Sequence, residues 1–76
     1  MMTGSIENQK ELVSLVEQVR DHIRIEQYSQ KKVYKWMADK WSSYDIAQVI
    51  VDNQLTTKDE VIQYLLDIGH LFGMDR

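Results

Sequence analysis

Apolar residues recur along this chain at helical intervals. Leu12, Val16, Val19 and Ile23 are spaced four, three and four apart, with Leu15 beside them. At about 100° per residue they fall in one narrow arc. The spacing predicts a first helix from Gln9 to Tyr28, with a seam suited to a bundle or coiled-coil neighbour. Val61, Leu65, Ile68 and Phe72 repeat the step and predict a last helix from Lys58 to Phe72. There Ile62, Tyr64, Leu66 and Leu71 widen the apolar arc to about 220°. One neighbour cannot cover so wide an arc. This helix is therefore expected to be the central one of the domain, or to face another subunit as well.

The middle of the chain is less regular. On an ideal wheel with Val33 as origin, Met37, Trp41, Tyr34 and Ala38 fill an arc of about 140°, the expected core face of a second helix. Ile46 to Val51 is rich in β-branched residues and has strand propensity. No second alternating run exists to pair with it, so it is assigned to a helix.

Proline is absent and the three glycines lie at positions 4, 69 and 73, so boundaries must come from capping residues. Asn8 with Glu11, Ser42 with Asp45, and Thr57 with Glu60 have the spacing of reciprocal N-terminal caps. Ser29 precedes a lysine-rich helical stretch, and Gly73 fits the left-handed stop after the last helix. The expectation is an all-α fold, a small bundle of three to four helices formed by a single domain over 1–76. Residues 1–7 are expected to be frayed, with 1–5 either native or an appended leader.

Composition narrows the function. With 43% hydrophobic and 28% charged residues, the chain is too apolar for a disordered tail. At 76 residues its core is small and its stability margin thin. The absence of cysteine removes disulfides, thiolate metal sites and thiol nucleophiles. No apolar run approaches the roughly 20 residues of a membrane span, and the first ten residues lack the apolar centre of a signal peptide. A cytoplasmic protein with no membrane contact is expected.

Candidate chemistry is sparse. Asp67 and His70 stand three apart on one helix, close enough to share an ion, but no second such pair closes a metal site. The plainer reading of His70 is a helix-end histidine favoured by the dipole. Glycine-rich phosphate loops are missing. The serines and threonines fall nearly all at cap or loop positions, so no enzyme, metal or cofactor is expected.

Charge is uneven. Residues 1–19 sum to −2, residues 20–40 to +3 and residues 41–76 to −4. The basic stretch and its flank hold Tyr28, Tyr34, Trp36, Trp41 and Tyr44, five of the seven aromatics. Basic and aromatic residues interleaved in this way are also a nucleic-acid pattern. A helix–turn–helix register would make Ser43–Asn53 the groove-entering helix, presenting Asp45, Gln48, Asp52 and Asn53 with no Lys or Arg. Against phosphate such a helix is repelled. Nucleic acid is the weaker reading, with a DNA-associated regulator using the Lys/aromatic patch as the alternative.

Trp36 is the most informative residue. It falls about 60° outside the core arc, flanked one turn away on either side by Lys32 and Lys40. Trp is enriched at binding hot spots, and lysines can steer an acidic partner. The competing reading is a boundary Trp packed under a neighbouring element, with lysine stems over it. Lys32, Lys35, Trp36 and Lys40 are the candidate partner-binding residues, and Trp41 is expected in the core. The expected function is a small non-enzymatic protein-binding regulator, adaptor or inhibitor that self-associates as a homodimer or larger assembly.

Overall fold

Ser42 and Thr57 each precede an apolar run by the distance a cap requires, and each opens a helix. A computed structural model describes residues 9–29 and 31–73. It contains helices α1 (Gln9–Glu26), α2 (Lys32–Lys40), α3 (Ser43–Asn53) and α4 (Lys58–Leu71), with no strand among the described residues. The chain is a small all-α bundle.

The two clearest caps form as reciprocal pairs. Asp45 N–H donates to Ser42 Oγ at 3.2 Å, and Ser42 N–H donates to Asp45 Oδ2 at 3.3 Å. At α4, Glu60 N–H donates to Thr57 Oγ1 at 3.2 Å, while the Thr57 and Thr56 amides donate to Glu60 Oε1 at 3.2 and 2.8 Å. These bonds satisfy amides that have no partner inside the helix. They also explain why Ile46–Val51 is helical despite its β-branched residues: the cap fixes the first turn and burial of Ile46 and Ile50 fixes the rest. The Asn8 cap lies outside the described residues, as do residues 1–7.

Other boundaries differ from the sequence expectation. α1 stops at Glu26 rather than Tyr28. Its last turn tightens, with Tyr28 N–H bonded to Ile25 O and Ser29 N–H to Glu26 O. Ser29 does not cap α2. Its Oγ accepts from Lys31 N–H at 3.3 Å, a local alternative to the helical ladder, and Lys31 takes the extended N-cap position without a side-chain bond. Gly73 adopts φ +71°, the left-handed conformation expected after the helix. Gln54 ends α3 in the same region at φ 55°, a stop without glycine.

The core joins Leu15, Val16, Val19 and Ile23 of α1 to Val33, Tyr34 and Met37 of α2, Ile46 and Ile50 of α3, and Val61, Ile62 and Leu65 of α4. The expected α1 seam is thus the buried one, with Leu12 half-buried at its end. The expected α4 seam is partly displaced. Val61, Leu65 and Gly69 form the buried line, Ile68 is half-buried, and Leu71 and Phe72 are exposed. α4 is also not the central helix. α1 packs against each of the other three, α2 and α4 pack together, and α3 rests chiefly on α1. Most of the wide apolar arc of α4 is covered within the chain.

Candidate functional site

The edge where α2 meets α4 depends on one missing side chain. A Cβ at Gly69 would stand 2.5 Å from Val33 Cγ2 and 3.3 Å from Trp36 Cζ3. Only a hydrogen fits there, so the two helices approach closely and the Trp36 indole lies across the α4 backbone. At the far side the indole meets Phe72 edge-on, with ring centroids 5.9 Å apart at 63°. Trp36 is half-buried against the core, whereas Phe72 remains 61% exposed. The two rings form an aromatic ledge, fixed at its Trp36 end and open at its Phe72 end.

Around this ledge α2 is basic. Lys32, Lys35 and Lys40 are all exposed, against one acidic residue on the helix, Asp39. The Trp36 ring packs on a neighbouring helix, and Lys32 and Lys40 stand one turn away along α2 on either side. Phe72 and Gly69 are not among the site residues expected from the sequence. The signal for Gly69 was present, four residues after Leu65 and eight after Val61 on the buried line of α4.

Trp41 sits at the end of α2, half-buried against the core, and its carbonyl accepts from Arg20 Nη1 at 3.2 Å. Its indole Nε1 is buried without a hydrogen-bond partner. Beside it, a cleft of about 350 Å³ opens between α1 and α2, lined by Arg20, Asp21, Arg24, Asp39 and Trp41 among others. Charges of both signs line it, with no hydroxyl or imidazole. A shallower groove runs between the starts of α1 and α4, where Thr56 and Thr57 are engaged in the Glu60 cap and Ser14 Oγ accepts from Gln18.

Among the described residues two titratable groups are perturbed, and both act in the fold. Burial first, and then the Glu26 charge, raise the Tyr34 phenol above its ordinary range. The Thr56 and Thr57 amides hold the Glu60 carboxyl below its ordinary range. Asp67 and His70 are both exposed, with Asp67 Oδ1 accepting from Gln63 at 3.0 Å. No group of three or more potential metal ligands occurs among the described residues. No helix among them is long and apolar enough to cross a membrane. No protein-family model matches the chain, and no curated protein or solved structure does either.

Proposed function

We propose that this protein is a small, non-enzymatic, cytoplasmic binding module, a regulator, adaptor or inhibitor that docks an acidic protein surface on the α2–α4 edge. The observation that carries the reading is the Trp36–Phe72 ledge, half open to solvent beside exposed Lys32, Lys35 and Lys40. A large aromatic held by packing loses little freedom on contact, so its buried area converts efficiently into affinity. The lysines speed approach and set orientation. The lysine patch also suits the alternative, a DNA-associated regulator. However, α3, the helix that would enter the groove, presents Asp52 and Gln48 and carries no Lys or Arg.

The test separates contact from folding. Baits carrying Lys32→Glu with Lys35→Glu alter only exposed residues, so they should melt like wild type yet lose the captured partner. Trp36→Ala should weaken that partner by about 2 kcal/mol or more. Trp36→Ala and Trp41→Ala both remove rings packed on the core, so the melting temperature of each is measured beside its binding. Lysine variants that retain every partner of the wild type would remove the reading. Retention of random duplex DNA that falls steeply with salt would favour the alternative.

A further inference from the structure

The chain itself carries a surface of the kind the ledge requires. On α3, Ile46 and Ile50 are fully buried and mark the inner side. Opposite them Val51, Tyr44, Gln48 and Asp52 fall within about 100° on the helical wheel. Tyr44 is 76% and Val51 48% exposed, two large apolar residues on the outer face of the helix. Asp52 borders the pair and accepts from Gln48 at 2.9 Å. The helix contains two aspartates and no cation, whereas α2 contains three lysines against one aspartate.

We propose that the Trp36–Phe72 ledge of one copy takes the Tyr44–Val51 face of α3 from a second copy. This rests on the reading of the ledge as a docking surface and names its occupant. The complementarity is in both kinds of surface. Two exposed apolar residues meet two aromatic rings, and an acidic helix meets a basic one. Within one copy the pairing cannot form, because the outer face of α3 points away from the bundle. Since the two faces differ, each copy offers one of each, and copies join either as a reciprocal two-fold pair or head to tail into rings and chains.

Sedimentation of the full chain over a range of concentrations tests this directly. Wild type should rise above its monomer mass of 9.0 kDa and fall back towards it in roughly 1 M salt, where the screening length is about 3 Å. Two folded variants make the decisive pair. Lys32→Glu/Lys35→Glu spoils the ledge and leaves α3 intact, and Tyr44→Ser/Asp52→Lys does the reverse. Each alone should sediment as a monomer, while their mixture should give a complex of twice the monomer mass that grows no further. Circular dichroism of each variant checks that the helices are retained. The inference is overturned if wild type stays monomeric at every concentration, or if the mixture remains monomeric. If wild type is monomeric while the lysine variants still lose a captured protein, this inference alone fails. If the lysine variants lose neither self-association nor a partner, the ledge reading fails with it.

Discussion

Gly69 shows how a single hydrogen can outweigh a propensity. In an exposed helix interior, Gly→Ala gains about 1 kcal/mol. Here the new methyl would meet Val33 Cγ2 at 2.5 Å, and Val33 is a β-branched residue only 2% exposed. Its stiff rotamer leaves no direction to yield, so the helices themselves must part. Overpacking of this kind costs about 1–3 kcal/mol, so Gly69→Ala should be net destabilising by roughly 1 kcal/mol. Chemical denaturation measures it, and a stabilised variant would mean that α2 and α4 have slack between them. The displaced Trp36 ring should also register as a change in indole emission. Residue-scale features of this type were the least legible in the sequence. Helical spacing puts Trp36 at the rim of the core and Phe72 in the seam, but α4 ends at Leu71 and Phe72 is its C-cap, 61% exposed.

At the scale of elements the sequence was most legible where boundaries are chemical. Ser42–Asp45 and Thr57–Glu60 each specify a hydrogen-bond pair at fixed spacing, and both form. The start of α2 lacks such a pair, and there the expectation placed Ser29 at a boundary that Lys31 takes instead. The α4 cap has a consequence in acid. Folding holds the Glu60 carboxyl below its ordinary range, so the stabilisation is complete above the unfolded value and is lost as pH falls through the folded one. The melting temperature should therefore drop on acidification below about pH 4, where unperturbed carboxyls protonate. Glu60→Gln, which cannot titrate, should flatten that part of the profile. Melts of both proteins across the acid range decide it, and parallel profiles would deny the cap this role.

Across the whole molecule, the bundle is unevenly tied. α1, α2 and α4 each touch the other two, whereas α3 has its principal contact with α1 alone. The all-α class and the α1 seam were legible because periodicity reports which face is buried. Which helix is the hub was not, since an apolar arc gives the amount of covering a helix needs and says nothing of its source. Of the two readings of the wide arc of α4, a central helix or one that also faces another subunit, the first does not hold, because α1 occupies the centre. The one-sided attachment of α3 bears on how the protein opens. Cooperative units in a fold separate along their thinnest contacts, and a helix held from one side can detach while the rest stays closed. Amide hydrogens of Ala47 to Val51 should then exchange with deuterium through a partial opening, faster than those of Val16 to Ile23, which await global unfolding. Any contact that clamps α3 would slow the first set towards the second, so exchange rates along one helix would read its occupancy.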